Sequence, residues 1–176
     1  GHLGASTYTT DTGVKIGMLA YQTFNGNYKN IYASIEGDIQ SLRDAGCSIV
    51  IVSYHWGEEK DYVPNERQVP LGRATIDAGA DLVIGHHPHV LQGFEYYNGV
   101  PIVYSLGNYL FGNRDGDTVL LEASYDSEGA PSIQLVPCKR VGSVLSRIQH
   151  PEALFQHLTE LSFGVTVAED GTLQSQ

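Results

Sequence analysis

The run Ser48-Ile49-Val50-Ile51-Val52-Ser53 sets four β-branched apolar residues side by side, with no polar alternation. A strand of that kind must be covered on both faces, the condition of an inner strand in a parallel sheet. Its flanks agree. Upstream, Ile31, Ile35, Ile39 and Leu42 recur at helical spacing, with Glu36, Asp38, Arg43 and Asp44 elsewhere on the wheel. This predicts an amphipathic helix over 31–45, with Gly46 as its C-terminal stop. Val14–Tyr21 reads as a preceding strand. Downstream, a second helix is expected over 68–78, closed by Gly79, and then a strand at Leu82-Val83-Ile84. The first half therefore reads β-α-β-α-β, an α/β fold with right-handed crossovers and a largely parallel sheet.

The second half changes character. Gln92–Tyr97 and Pro101–Ser105 flank Asn98-Gly99, a two-residue hairpin signal. Thr118–Tyr125 and Ser132–Pro137 flank Asp126-Ser127-Glu128-Gly129 and read as another hairpin. Leu154, Phe155, Leu158 and Leu161 predict a helix over 152–161. Residues 22–30 and 138–150 are expected to be flexible connections, and 1–12 and 166–176 flexible ends. The whole, 1–176, is read as a single domain.

Sites in open parallel sheets gather at the strands' carboxyl ends. Two histidine clusters fall there by topology alone. Gly85-His86-His87-Pro88-His89 leaves the strand ending at Ile84, and His55-Trp56-Gly57-Glu58-Glu59 leaves the strand ending near Ser53. Imidazole is the commonest protein metal ligand. A His-x-His pair on a sharp turn, shaped by Gly85 and Pro88, can aim two nitrogens at one ion. Glu59 is close enough in sequence to orient a histidine or to act as a base, while Glu58 reads as solvated surface. Ser105 and Asn108, in Tyr104-Ser105-Leu106-Gly107-Asn108, are candidates for binding a phosphate or carboxylate oxygen, a self-capped turn being the alternative. Arg73 is a candidate contact for an anionic substrate, an ion pair being the alternative. Arg114, Asp115 and Asp117 fall in a Gly-rich turn. His2, His150 and His157 read as surface residues.

Composition narrows the function classes. The 176 residues carry a net charge of −10. That excludes a basic face for nucleic acid, although bound cations let an acidic protein take an anionic substrate. No apolar run approaches the ~20 residues of a membrane-spanning helix. Cys47 and Cys138 have no CxxC or zinc-finger spacing. There is no Gly-x-Ser-x-Gly elbow, P-loop or dinucleotide fingerprint.

Three strings taken together are specific: His55-Trp56-Gly57-x-Glu59, Gly85-His86-His87-Pro88-His89-Val90-Leu91-Gln92, and Tyr104-Ser105-Leu106-Gly107-Asn108-Tyr109-Leu110-Phe111. With Gly13–Tyr21, they resemble the CapA family of bacterial capsule and poly-γ-glutamate biosynthesis proteins, within the calcineurin-like metallophosphoesterase superfamily. The resemblance covers most of residues 13–165. It implies half of an α/β/β/α sandwich with divalent metal ions (Mn, Zn or Fe) at the sheet's carboxyl edge. By motif it implies His55, His87 and His89 as metal ligands, Glu59 and His86 as catalytic candidates, and Ser105 and Asn108 on the same rim.

The family's earlier blocks, which supply the opening aspartates, have no counterpart before residue 13. The chain thus resembles the C-terminal half of such a domain. Two ions are expected in the complete site, one or none on this chain, and the missing N-terminal half becomes an expected partner. The implied activity is metal-dependent hydrolysis of an envelope phosphoester or a poly-γ-glutamate linkage, on the extracellular face of the bacterial membrane, anchored through a segment not in this chain. The alternative is a non-catalytic polymer-binding or assembly component of the capsule machinery.

Overall fold

In the computed structural model, residues 2–111 and 115–176 are described, with side chains from residue 4. The elements run β1 (His2–Thr9), β2 (Lys15–Gln22), α1 (Tyr28–Asp44), β3 (Ile49–His55), α2 (Gln68–Asp77), β4 (Leu82–His86), β5 (Phe94–Tyr97), β6 (Val100–Val103), β7 (Gly116–Tyr125), β8 (Pro131–Val141), β9 (Val144–Arg147), α3 (Glu152–Leu161), β10 (Val165–Val167) and β11 (Leu173–Ser175). A six-stranded sheet has the order β1-β2-β3-β4-β6-β5. Strands β2, β3, β4 and β6 are parallel, and β1 and β5 close the two edges antiparallel. The expected α/β class stands, with its parallel first half followed by antiparallel hairpins.

Helix α1 buries the stripe that predicts it, Ile31, Ile35, Ile39 and Leu42. Each such burial stabilises by about 1.5–3 kcal/mol. Gly46 ends the helix at φ 87°, its N–H bonding Arg43 O at 2.8 Å while Cys47 N–H reaches Leu42 O. The Arg43 guanidinium then crosses to Asp81 at 2.6 Å, tying the helix end to the start of β4.

Strand β3 is covered on both faces, as its continuous apolar run requires. Val50, Val52 and Tyr54 face α1 and α2, whereas Ile51 packs on the second core with Leu82, Phe94, Val103, Ile133 and Leu158. That second core lies under the antiparallel sheet β7-β8-β9, helix α3 and the β10–β11 ribbon. The layers are thus helices, sheet, then a smaller sheet with its own helix. The second layer packs on the β4–β6–β5 side. Over β1–β3 the same face is open: Met18 is 44% and Tyr8 63% exposed, around a hollow lined by Gly4, Ser6, Ala20 and Ser53.

Asn98 and Gly99 form the hairpin turn at φ 52° and 79°, the left-handed pair that a two-residue loop requires. Four expectations need correction. Residues 24–26 form a 3-10 turn, and α1 already starts at Tyr28. Strand β8 runs on to Val141 and turns at Gly142 into β9, so 138–150 is mostly paired sheet. The N-terminal stretch pairs along β2 as an edge strand. Residues 165–175 form a ribbon whose turn is docked to β8 by Leu135 N–H bonding Gly171 O. Both cysteines are buried free thiols.

A histidine cluster at the carboxyl edge of the sheet

The parallel strands bring four chain segments to one rim. In register, Gln22, His55 and His86 lie side by side across β2, β3 and β4, and the segment after β6 arrives beside them. The chain leaves β4 through an abrupt turn. Gly85 is flanked by Trp56 and Tyr104, and Trp56 Nε1–H donates to Tyr104 O at 2.9 Å. His87 and His89 adopt φ of 104° and 60°. Non-glycine residues held there cost about 1–3 kcal/mol each and persist only where the surroundings over-determine them. Here Trp56 N–H holds His86 O, Lys60 N–H holds Pro88 O at 2.8 Å, and Ser105 Oγ–H holds Val90 O at 2.7 Å.

The turn places ligand atoms of Glu59, His87 and His89 within 4.8 Å of one another. An ion ~2.1 Å from each donor needs them within about 4.2 Å, a closure of a few tenths of an ångström per side chain. Two imidazoles and a carboxylate form a donor set that catalytic zinc sites use with a further position left open. The residues therefore fit a divalent cation. His89 Nδ1 lies 2.6 Å from Asn108 Oδ1. A carboxamide oxygen only accepts, so Nδ1 carries the proton and Nε2 is left with its lone pair.

His55 stands next to this set, its ring 4.7 Å from that of His87, and both His55 and its in-register neighbour His86 are exposed at their strand ends. Neighbouring protein displaces part of the hydration of the His55, His86 and His87 imidazoles, and this desolvation holds them below their ordinary pKa. For His55 the His87 and His89 rings add to this effect; for His87 the Glu59 carboxylate opposes it. Neutral imidazole is the metal-binding form.

Ser105 and Asn108 do reach the rim, but as supports: Ser105 is buried and Asn108 holds His89. Arg73 is not brought to the rim. Its guanidinium pairs with the buried Glu95 at 2.7 Å and lies over the Tyr97 ring, the ion-pair alternative raised by its sequence context. Arg114 lies outside the described residues.

Two aromatics bracket the cluster, Phe111, which the sequence motif includes without a role, and Phe24, which sequence reasoning misses. Phe24 meets His55 and His87 edge-on at 5.2 and 4.7 Å, and Phe111 stacks on His89 at 5.1 Å. Phe24 follows the carboxyl end of β2, so strand-end position was the available signal. His157, expected as plain surface, joins Tyr62, Leu154, Asp115, Asp117 and Arg140 in lining a cavity of about 770 Å³ that also touches Glu59, His89 and Asn108. Nothing local to His157 signals this; α3 is carried there by tertiary packing.

Among solved structures, the NAD nucleotidase of Haemophilus influenzae aligns over 82% of this chain and 26% of that one, with 15% identity and a TM-score of 0.39, too distant to argue from. The PGA biosynthesis protein CapA of Bacillus subtilis is 47% identical over 92 residues, covering 51% of this chain and 24% of that protein. The capsule biosynthesis protein CapA of Bacillus anthracis is 42% identical over 98 residues, covering 54% and 24%. The match thus spans about a quarter of these relatives' length. Residues 4–113, which carry most of β1, all of β2 to β6 and every residue of the histidine cluster, match the family model for the bacterial capsule synthesis protein PGA_cap, and the chain belongs to that family.

Proposed function

We propose that this chain carries part of a metal-dependent, phosphoesterase-like hydrolase site that acts in capsule assembly, on a poly-γ-glutamate linkage or an envelope phosphoester. The observation that carries the reading is the Glu59/His87/His89 cluster, set on a strained turn at the sheet's carboxyl edge and open to the adjoining cavity. Glu59, His87 and His89 would hold a divalent ion such as Mn²⁺, Zn²⁺ or Fe²⁺, with His55 in reach of a second position. Such an ion supplies Lewis acidity and lowers the pKa of a bound water.

The chain's own residues do the rest. Asn108 keeps His89 in the tautomer that presents Nε2. Phe24 packs against the His55 and His87 rings and Phe111 against the His89 ring, which limits the orientations these imidazoles can take. The exposed His86 stands beside His55, placed to exchange a proton with substrate or solvent. The cavity beyond, with Tyr62, His157 and Arg140 on its walls, receives the substrate. The family's capsule role and the biosynthetic names of its Bacillus relatives support the substrate class. In this reading the work lies on the outward side of the bacterial membrane.

The ligand set is completed, in this reading, by further polypeptide of the same protein, seated on the open face of β1–β3. The relatives are about four times longer than the stretch they share with this chain, and that face ends in the row Gln22-His55-His86 at the same rim. Loaded with Mn²⁺ or Zn²⁺, the complete protein should hydrolyse a generic phosphodiester or polyglutamate, and His87→Ala should abolish turnover. Activity that survives both chelation and that substitution refutes the mechanism.

A further inference from the structure

The two loops that carry the cluster are joined by a buried amide network that the site chemistry leaves unexplained. Gln68 and Gln92 are both 0% exposed. Gln68 Nε2 donates to Gln92 Oε1 at 2.9 Å, and Gln92 Nε2 donates to Asp61 O at 2.8 Å. Gln68 Oε1 accepts from Asn65 N–H at 3.0 Å. Reversing the Gln92 amide would set one NH₂ group against another, so these bonds fix one arrangement. The pair is also shaped in: a Cβ on Gly57, at φ 77°, would stand 2.7 Å from Gln68 Oε1.

The positions of the two amides matter more than their burial. Gln68 opens α2, and its bonds to Asn65 and, through Gln92, to Asp61 gather the 57–67 loop that holds Glu59. Gln92 follows His89 by three residues, and its backbone is pinned where its N–H bonds Ser105 O. Glu59 and the two histidines belong to different loops, and their mutual distance is set by whatever locks one loop to the other. Besides these amides, two backbone bonds join the segments among the described residues, Lys60 N–H to Pro88 O and, at the strand ends, Trp56 N–H to His86 O.

We propose that Gln68 and Gln92 are positioning residues: their amide clasp sets the separation of Glu59 from His87 and His89 and so pre-forms the cation site. The proposal rests on the metal reading above, and its test separates the two. In the 176-residue chain, Gln92→Leu and the double variant Gln68→Leu/Gln92→Leu keep the side-chain volume. The double variant also avoids stranding one buried amide opposite a lost partner. The readouts are Zn²⁺ affinity by calorimetry, the visible spectrum of the Co²⁺-loaded protein, and amide hydrogen exchange of Lys60 without metal.

The variants should fold with β3 and β4 amides still protected. They should bind Zn²⁺ tenfold to a hundredfold more weakly, change the Co²⁺ spectrum, and lose tenfold or more of the exchange protection at Lys60. A folded variant with wild-type Zn²⁺ affinity, or with Lys60 protection intact, overturns the clasp. A wild-type chain that binds no Zn²⁺ overturns the metal reading instead and leaves the exchange experiment to decide whether the amides lock the loops.

Discussion

Gly85→Ala should be the most damaging single methyl group that can be added to this chain near the site. Gly85 is not at positive φ, so the constraint is one of space. A Cβ there would lie 2.0 Å from Tyr104 O and 2.2 Å from Trp56 Nε1, the two ends of one buried hydrogen bond. Trp56 and Tyr104 are both 0% exposed, and Trp56 stacks on Tyr54 at 4.6 Å. Neither neighbour can yield without opening the helix-side core. Separating the pair leaves a buried donor and acceptor unmet, about 1–3 kcal/mol, and the overpacking adds about 1–3 kcal/mol. Together they cost about 2–6 kcal/mol, a large part of the ~5–15 kcal/mol that holds a typical domain together. For a chain of this size that lowers the melting temperature by about 4–24 °C. Denaturant unfolding, read from midpoint and slope together, measures it. Gly37→Ala is the control. Gly37 is exposed in the middle of α1 with nothing within 4 Å of its new Cβ, and the substitution should stabilise by ~0.5–1 kcal/mol. A Gly85→Ala protein within 1 kcal/mol of wild type would refute the packing argument.

The chain should also lose stability on the acid side through its histidines. His55, His86 and His87 have folded pKa values below their unfolded value of 6.5, so the unfolded state binds more protons in the window just below 6.5. Stability is therefore flat with respect to these groups above that pH and falls as pH drops through the lowered values. Metal-free denaturation midpoints between about pH 7.5 and about pH 5.5 should show this, with a shallower fall in His55→Gln; an equal fall in that variant refutes the assignment. Arg73→Ala should destabilise by ~2 kcal/mol, below the 3–5 kcal/mol of a fully buried pair, because its side chain is 41% exposed while Glu95 is buried. Metal affinity should not change, and a weakened site would place Arg73 in the function after all.

The parts of this molecule that were readable in its sequence are those where one residue pattern has a single physical solution. Ile49–Val52 has to be an inner strand, and Ile31-Ile35-Ile39-Leu42 has to face it. Once the strands are parallel, His55 and the histidines after Ile84 have to share a rim. The N-terminal strand escaped notice because Ala5-Ser6-Thr7-Tyr8 buries nothing of its own; pairing along β2 holds it in place. The start of α1 was missed by three residues because Tyr28, Lys29 and Asn30 carry no apolar period.

Within the site, the family resemblance put His55 with the ligands and Glu59 among the catalytic candidates. The structure groups Glu59 with His87 and His89 and leaves His55 alongside, because left-handed backbone at two histidines turns the loop toward 57–60. Gly85 and Pro88 announce a sharp turn, but no residue pattern announces left-handed backbone at the two histidines, which histidine rarely adopts. The supporting roles of Ser105 and Asn108 depend on the return of β6 beside β4, a long-range pairing that local residues do not encode.

The open face of β1–β3 has a calorimetric consequence. The chain exposes 9238 Å², against about 8,400 Å² for an average monomer of 19.2 kDa. Apolar surface that stays wet in the folded state contributes nothing when the chain unfolds. The heat-capacity increment of this chain alone should therefore fall below the ~2.1–2.6 kcal/mol/K typical of 176 residues, and its stability curve should be correspondingly flat. Seating a covering layer on Met18, Tyr8 and Ala20 would add the missing increment, so the curvature of the melting profile reports whether that face is occupied.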